Sequence, residues 1–282
     1  MKIARCSDGG APFWALVDLT LQTVTPLVGG IADWAPALTR GEGEGALTFA
    51  GPARALASVR LLPPVEKTNR VVVAGANYQK HLEADFGLKS HHQPIAFLKA
   101  HGALIGANDT MRYPPLTQEF DHEVELVVVI GAEVVNRADP LSSVLGYTVG
   151  NDASARDLQR SGPPGVGMDL FASKSQNLTT GLGPWIVTRD EFPEGSPKRR
   201  LTLTVNGDIR QDGSTAEMTW DVPFLVKFVD ERSSFECGDV MFTGSPAGTA
   251  QGTGKYLKVG DVVETSVEGI GTLRNVVVAA AN

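Results

Sequence analysis

Residues 121–131, DHEVELVVVIG, place two carboxylates at the head of an otherwise apolar run. The run is β-branched and aliphatic with turn residues on both sides, which predicts an inner strand over Glu123–Ile130. Residues two apart on a strand share a face, so Glu123 and Glu125 point the same way. Because an unpaired carboxylate in a protein core is costly, this pair needs a cation.

Asp152 offers a third oxygen ligand, since it follows a second apolar run over Val144–Val149. Two glutamates and one aspartate, with no His or Cys between them, favour Mg²⁺ or Mn²⁺ because hard divalent cations prefer oxygen ligands. The alternative for Glu123 and Glu125 is a pair of rim residues that form ion pairs with Lys or Arg.

Length, charge and cysteine content exclude several classes of protein. The chain has 282 residues, enough for one large domain with a small appendage, and its net charge of −7 argues against nucleic acid as the main partner. Cys6 and Cys237 lack the spacing of a disulfide framework or a zinc site. No apolar run has the length of a membrane span and the N-terminus lacks a signal-peptide core, which predicts a soluble cytoplasmic protein without membrane contact.

The distribution of strand and helix signals predicts a β-rich α+β fold with short helices. Residues 1–65 alternate short apolar runs with glycine turns and predict a small β-rich N-terminal domain, followed by a catalytic domain over residues 66–282. Helices are predicted over Ile31–Leu38, interrupted by Pro36, and over Gln79–Phe86, Ala155–Arg160 and Val222–Asp230.

A histidine among carboxylates follows the first strong strand of the main domain. His81 stands in the segment NYQKHLEAD, with Glu83 and Asp85 as acidic neighbours. A histidine near its reference pKa can take a proton from water at neutral pH, and an adjacent carboxylate orients it. The alternative is a solvated histidine on a surface helix.

Arg156 and Gln159 come shortly after Asp152, so one turn of helix sets both side chains close to that carboxylate. Arg156 is suited to clamp a substrate carboxylate, and Gln159 to hydrogen-bond a carbonyl or enol oxygen. The alternative for Arg156 is a buried arginine that neutralises nearby acidic side chains.

Two further segments carry side chains suited to an anionic ligand. Lys174 stands among small residues, and an ammonium near a metal can stabilise the charge that builds on an enolate, although taken alone it reads as a surface lysine. Thr243 and Ser245 flank Gly244 after a predicted strand, where hydroxyls and glycine amides can cradle an anionic group. The segment lacks the P-loop pattern, which disfavours nucleotide binding.

Taken together, these motifs resemble the fumarylacetoacetate hydrolase superfamily in order and spacing, over roughly residues 70–275. The residues that carry the resemblance are Asn77-Tyr78 with His81, Phe97-Leu98-Lys99, Tyr113-Pro114, Glu123 with Glu125-Leu126, Asp152 with Arg156-Asp157 and Gln159, Lys174-Ser175, Gly183-Pro184-Trp185, Val205-Asn206-Gly207, Gly238-Asp239 with Thr243-Gly244-Ser245-Pro246, and Leu257-Lys258 with Gly260-Asp261.

The resemblance implies a mixed β-sandwich roll with a small N-terminal domain, usually assembled as a homodimer. It also implies a divalent metal, commonly Mg²⁺, Mn²⁺ or Ca²⁺, held by the residues that match Glu123, Glu125 and Asp152. In the family this metal chelates a small-molecule 2-oxo acid or 1,3-dicarbonyl.

Substrate contacts and charge stabilisation are implied as well. The residue that matches Lys174 helps to hold the developing enolate, and those that match Gln159 and Ser245 touch substrate oxygens. Arg156 and Thr243 complete the set of predicted substrate-binding residues.

One departure from the family concerns the acid beside the histidine. Many relatives carry a glutamate three residues after that histidine, where it completes a water-activating dyad. This chain has Ala84 there, with Glu83 and Asp85 on either side. Either neighbour substitutes for the glutamate, or the water-activating function is absent.

The leading prediction is a metal-dependent hydrolase that cleaves a carbon–carbon bond in a 1,3-dicarbonyl such as an acylpyruvate. His81 delivers water with help from Glu83 or Asp85, and Lys174 shares the negative charge. The runner-up keeps the metal without hydrolytic water: a decarboxylase, tautomerase or isomerase of a 2-oxo diacid. A metal-binding protein without turnover is a third hypothesis, motivated by Ala84.

Overall fold

A computed structural model describes residues 1–88, 92–134, 136–165 and 167–280. Within these ranges the strands are β1 (Lys2–Ser7), β2 (Phe13–Asp18), β3 (Thr23–Pro26), β4 (Arg54–Ala55), β5 (Arg60–Leu62), β6 (Val71–Gly75), β7 (Ile95–Leu98), β8 (Leu104–Ile105), β9 (Met111–Arg112), β10 (Phe120–Asp121), β11 (Val124–Ile130), β12 (Val144–Asn151), β13 (Ser154–Ala155), β14 (Thr180–Thr188), β15 (Arg200–Val205), β16 (Asp208–Ser214), β17 (Val240–Phe242), β18 (Val262–Val267) and β19 (Gly271–Val278).

The helices in the same ranges are short. The α-helices are α1 (Ile31–Thr39), α2 (Gln79–Phe86), α3 (Arg156–Gln159), α4 (Leu170–Lys174), α5 (Val222–Asp230) and α6 (Ala250–Thr253). Single 3₁₀ turns cover Glu44–Ala46, Leu56–Ser58, His101–Ala103, Pro140–Ser143, Arg189–Glu191 and Thr215–Glu217. None of the helices in the described part of the chain has the length and apolarity needed to cross a bilayer.

The strands form three sheets. The largest has the strand order β4-β3-β2-β1-β14-β12-β11-β17-β6-β7, with β5 beside β1 and β8 beside β14. A second has the order β16-β15-β18-β19-β9, and β10 pairs with β13 alone. The sheets are mixed, because β17 runs parallel to β6, β8 to β14 and β9 to β19. Mixed sheets with short helices match the predicted β-rich α+β class.

β11 lies inside the large sheet and is buried along its whole length. One face contributes to a core shared with α5 and the second sheet, through Val124, Leu126, Val128 and Ile130. The other face contributes Val127 and Val129 to a second core that includes α1. Because side chains alternate along a strand, Glu125 shares the face of Val127 and Val129, and Glu123 just before the strand continues that face.

The N-terminal strands belong to the large sheet, because β1 pairs with β14. Glu66 joins the two parts of the chain: its Oε1 accepts from Trp14 Nε1 at 2.7 Å and from the backbone N of Ile31 at 3.1 Å. The division into domains at residue 65 stays a prediction.

Three helices, α1, α4 and α6, differ from the sequence expectation. α1 is not interrupted at Pro36 but continues to Thr39. Pro36 removes one backbone donor, and the burial of Ile31, Trp34 and Ala35 against the sheet offsets that loss. α4, with five residues, and α6, with four, were not predicted, since one turn is too short to show a helical period.

The strand directions bring four segments to one edge of the large sheet. β11 and β12 are antiparallel, with Val124 opposite Asn151, so the start of β11 meets the end of β12. β6 and β17 are parallel, so their last residues, Gly75 and Phe242, both lie at that edge. Side chains just before β11 and just after β6, β12 and β17 therefore lie close together.

Close packing in the middle of the large sheet gives a test of this fold. A Cβ on Gly150 would lie 2.3 Å from Phe242 Cε1 and 2.7 Å from Val127 Cγ2. We expect Gly150→Ala to lower the free energy of unfolding by about 1–3 kcal/mol, because an overpacked core must shift. Gly51→Ala is the control, since its Cβ would meet nothing within 4 Å. Denaturant titrations with equal midpoints for the two variants would contradict this packing.

Candidate metal centre and active site

Three buried carboxylates meet at this edge of the sheet. Glu123, Glu125 and Asp152 each offer one oxygen, and these oxygens lie within 4.8 Å of one another. The strand period gives both glutamates the same face, and the backbone N of Asp152 donates to the carbonyl of Glu123 at 2.9 Å. The structure thus brings together the three residues predicted as metal ligands.

Two lysines neutralise part of this charge. Lys174, at the end of α4, contacts Glu123 Oε2 and donates to Asp152 Oδ2 at 2.6 Å. Lys99, which follows β7, places Nζ 2.6 Å from Asp152 Oδ1 and donates to Thr180 Oγ1 at 2.7 Å. Burial lowers the pKa of Lys99, although Asp152 opposes this shift.

Lys99 was not predicted as a site residue. Its side chain is fully buried beside Asp152, whereas the preceding Leu98 is exposed. The sequence offered one signal, the Phe97-Leu98-Lys99 motif. Because residues two apart on an extended segment share a face, Lys99 points inward as Phe97 does.

Glu125 has no cationic partner among the described residues. One of its oxygens accepts from the backbone N of Gly244 at 2.7 Å. Burial, with the charges of Asp152 and Glu123, raises the pKa of Glu125 well above its ordinary value. By contrast, burial alone would raise the pKa of Glu123, but Arg156 and Lys174 hold it below its ordinary value.

This donor set fits a hard divalent cation. Three carboxylate oxygens are close enough to share one ion, and Glu125 lacks a compensating charge among the described residues. Mg²⁺ and Mn²⁺ prefer such oxygen ligands, and a buried carboxylate without a partner is costly. An ion bound here would compensate the charge of Glu125.

Arg156 is committed to the carboxylates around it. Its Nε donates to Asp121 Oδ2 at 2.7 Å, one terminal nitrogen contacts Glu123 Oε1, and the other donates to Gln159 Oε1 at 3.0 Å. These contacts correspond to the alternative of a buried, neutralising arginine. Arg156 and Gln159 nevertheless both line the cavity described below.

His81 contacts Asp85 rather than Glu83. His81 Nδ1 lies 2.6 Å from Asp85 Oδ2, and both residues are buried. Glu83 is exposed and accepts from Gln79 Nε2 at 2.7 Å. The reason is helical geometry, since residues four apart share a face of α2 and residues two apart do not. The acid beside the histidine is thus one residue beyond Ala84.

The orientation of His81 follows from this contact. An ionised carboxylate only accepts hydrogen bonds, so Nδ1 carries the proton and Nε2 keeps a lone pair when the ring is neutral. Nε2 faces the carboxylate cluster, 3.9 Å from Glu123 Oε1, which is beyond hydrogen-bond distance. The lone pair on Nε2 is therefore available to a ligand in the cavity.

α6 and the residue before it support two buried acids from a distant part of the sequence. Thr249 Oγ1 donates to Asp85 Oδ2 at 2.7 Å. The backbone N atoms of Ala250 and Gln251 donate to the two oxygens of Asp121 at 2.6 and 3.0 Å. Because Asp121 also holds Arg156, Thr249 and α6 together fix the acidic partners of His81 and Arg156.

The two predicted hydroxyl residues lie in different surroundings. Ser245 lines the cavity, and its Oγ accepts from Gln211 Nε2 at 2.8 Å. Thr243 is fully buried, donates its hydroxyl to the carbonyl of Leu126 at 2.8 Å, and is not among the described residues that line the cavity.

A cavity of about 110 Å³, several times the volume of a water molecule, opens at the carboxylates. Among the described residues its polar lining consists of His81, Glu123, Glu125, Asp152, Arg156, Gln159, Lys174 and Ser245. The remaining wall comes mainly from apolar side chains of α2, β6, β7 and the chain around the start of α4. With the exception of Glu83 and Thr243, the predicted site residues therefore border one cavity.

Comparison with known families agrees with this geometry. Residues 70–278 match the family described as "Fumarylacetoacetate (FAA) hydrolase C-terminal". The chain belongs to the fumarylacetoacetate hydrolase family. Residues 1–64 match a second description, "Rv2993c-like, N-terminal". The resemblance inferred from the sequence motifs is confirmed.

Relatives in the fumarylacetoacetate hydrolase family carry several activities in their names. "Oxaloacetate tautomerase YisK" of Bacillus subtilis is 32% identical over 228 residues, which are 78% of this chain and 73% of YisK. The structure of a "5-carboxymethyl-2-hydroxymuconate delta-isomerase" from Mycobacterium smegmatis is 30% identical, with a TM-score of 0.81, and covers 99% of this chain and 100% of its own.

A third relative was solved with ligands. The structure of "fumarylpyruvate hydrolase from Pseudomonas aeruginosa in complex with Mn2+ and pyruvate" is 26% identical, with a TM-score of 0.67, over 78% of this chain and 92% of its own. The predicted fold of this family, with a small N-terminal part, is confirmed by the full-length match to the isomerase. The chain is therefore a metal-dependent enzyme of the fumarylacetoacetate hydrolase family.

Binding of Mn²⁺ tests the candidate metal centre. We expect Glu125→Gln to weaken Mn²⁺ at least about tenfold, because a charged ligand is lost while an acceptor for Gly244 N remains. Glu133→Gln, at an exposed position, removes the same charge elsewhere and should leave the affinity unchanged. Isothermal titration calorimetry measures both. Equal affinities for the two variants would exclude Glu125 as a ligand.

Proposed function

We propose that the protein is a divalent-metal-dependent hydrolase that cleaves a carbon–carbon bond in an acylpyruvate-type 1,3-dicarbonyl. One observation carries the proposal. The oriented His81–Asp85 pair and the three-carboxylate cluster border the same cavity, so a base and a cation site face one ligand. The hydrolase relative solved with Mn²⁺ and pyruvate supports it.

Glu123, Glu125 and Asp152 hold the metal in this proposal, with Mg²⁺ and Mn²⁺ as the candidates and Ca²⁺ as a third. When bound, such an ion polarises a carbonyl and stabilises negative charge on an enolate. The carboxylates meet at the buried end of the cavity, which orients a 2-oxo acid with its acyl group toward the mouth.

His81 acts as the base. Nε2 takes a proton from a water molecule while Asp85 keeps the ring oriented and stabilises the imidazolium that forms. The water oxygen bonds to the acyl carbon, and the bond between that carbon and C3 of the pyruvyl unit breaks. The electron pair of this bond becomes the enolate, which takes a proton to give pyruvate, and the acyl group leaves as a carboxylic acid.

Lys174 stabilises the enolate in this scheme. Its ammonium sits between Glu123 and Asp152 at the polar end of the cavity, where burial strengthens its attraction for a nearby anion. Gln159 and Ser245 border the same end and offer polar contacts to substrate oxygens. Arg156 holds Glu123 and Gln159 in place, which makes it a positioning residue.

The second candidate function uses the same site without hydrolysis. A tautomerase, isomerase or decarboxylase of a 2-oxo diacid needs the metal and a proton carrier but no attacking water. The tautomerase and isomerase activities named for two relatives favour this second function.

Product analysis separates the two functions. The metal-stripped protein, with Mg²⁺ or Mn²⁺ restored, is incubated with acylpyruvates, oxaloacetate and simple β-diketones, and the products are followed by NMR. We expect pyruvate and a carboxylic acid in equal amounts, only with metal. Carbon dioxide, or enol–keto exchange without cleavage, would replace the proposal with the second function.

Exchanging each acid of α2 for its amide tests the base. We expect Asp85→Asn to lower kcat for an acylpyruvate by about 10²–10⁴-fold, because the amide does not stabilise the imidazolium. Glu83→Gln is the matched control on the same helix and should leave kcat unchanged, since Glu83 is exposed. A loss of kcat in Glu83→Gln equal to that in Asp85→Asn would contradict the assignment.

The predicted homodimer and the cytoplasmic location stay predictions from the sequence. Light scattering of the metal-loaded protein measures the first.

A further inference from the structure

The two ends of the cavity differ in character. The polar side chains at the carboxylate end are all at most 6% exposed. The mouth is lined by apolar side chains, of which Leu88, Ile95 and Met168 are 40%, 42% and 49% exposed. Phe86 and Phe97 are half-buried and extend the apolar wall inward from the mouth. A ligand whose head group reaches the carboxylates therefore has its far end against apolar surface.

Within the part of the chain that the structure describes, the mouth offers no positive charge to a second carboxylate. Among the described residues that line the cavity, the side chains that can carry a positive charge are His81, Arg156 and Lys174. Each of them contacts a carboxylate of the protein at the buried end. A carboxylate placed against Leu88, Ile95 and the other mouth residues would lose water without gaining a partner, which is unfavourable.

We propose that the site selects 2-oxo acids whose far end is an apolar acyl chain over those that carry a second carboxylate. This specificity rests on the proposed function for the binding of the 2-oxo acid head group. An apolar chain covers side chains that are otherwise exposed to water at the mouth, so each added methylene strengthens binding.

Inert head-group analogues test the specificity without turnover. N-alkyl oxamates keep a 2-oxo acid unit and vary only the tail, and their Kd values for the Mn²⁺-loaded protein are measured by calorimetry. From N-methyl to N-hexyl we expect the affinity to rise about two- to fourfold per methylene. N-(5-carboxypentyl) oxamate, of the same chain length as the hexyl compound, is expected to bind at least about tenfold more weakly, because its carboxylate loses part of its water against apolar side chains and gains no partner.

The outcomes separate this proposal from the proposed function. An ω-carboxylate analogue that binds as tightly as the alkyl analogue overturns the specificity alone, as does an affinity independent of chain length. Failure of every oxamate to bind in the presence of Mn²⁺ overturns the head-group site, and the proposed function with it.

Two variants of one strand locate the effect. Ile95→Lys places an ammonium at the mouth and is expected to weaken N-hexyl oxamate severalfold while strengthening the ω-carboxylate analogue. Leu98→Lys adds the same charge on β7 at a position that is 61% exposed and does not line the cavity, and is expected to change neither Kd. Equal Kd values in the wild type and Ile95→Lys would overturn the proposal.

Lys89 and His91 follow Leu88 in the sequence and lie outside the described residues. The double variant Lys89→Ala with His91→Ala is therefore titrated with the same ligands, and unchanged Kd values support the proposal. Weaker binding of the ω-carboxylate analogue in this variant would assign a cation of that segment to a second carboxylate and overturn the proposal.

Discussion

The balance of charge around three buried carboxylates is the constraint on which the rest of the site depends. Glu123, Glu125 and Asp152 sit where ionised groups are costly unless cations lie beside them. The chain supplies Lys99 after β7 and Lys174 from α4, and both contact Asp152. Arg156 from α3 contacts Glu123. Two short helices, α3 and α4, and the segment after β7 thus bring compensating charge to the sheet edge.

The sheet topology makes this convergence of charge possible. An antiparallel pair joins the start of β11 to the end of β12, and a parallel pair sends β6 and β17 to the same edge. Cores on both faces of β11 hold that edge rigid, since its apolar side chains divide between them. Polar side chains just beyond the strand ends are therefore held in place by the strands themselves.

Local patterns in the sequence were sufficient to predict part of the fold and part of the carboxylate cluster. Residues 123–130 predict that Glu123 and Glu125 share one face, because the two-residue period of a strand can be recognised from neighbouring residues alone. Helical spacing likewise predicts α2 and α5 with the bounds that the structure has. Asp152 was identified because it follows an apolar strand of the same kind.

Other contacts cannot be predicted from local sequence patterns, because the two partners lie far apart along the chain. Lys99 is recognisable as a site residue only when Asp152 lies beside it, and the two are joined by sheet packing. Arg156 had two interpretations on sequence, and its contact with Asp121 was not foreseen because the two residues lie 35 positions apart. α6 has four residues, too few for a periodic signal, although its backbone holds Asp121.

The acid beside His81 shows why a position-by-position comparison misleads here. Ala84 reads as a lost dyad when only the usual spacing is considered, but one more residue along α2 brings Asp85 back to the face of His81. The shift requires room and support. Thr249 donates to Asp85, and a Cβ on Gly252 would lie 2.2 Å from Asp85 Oδ1, so a larger residue there would displace the Asp85 carboxylate. The carboxylate beside the histidine is therefore set jointly by α2 and by the segment around α6, and a change in either one moves it.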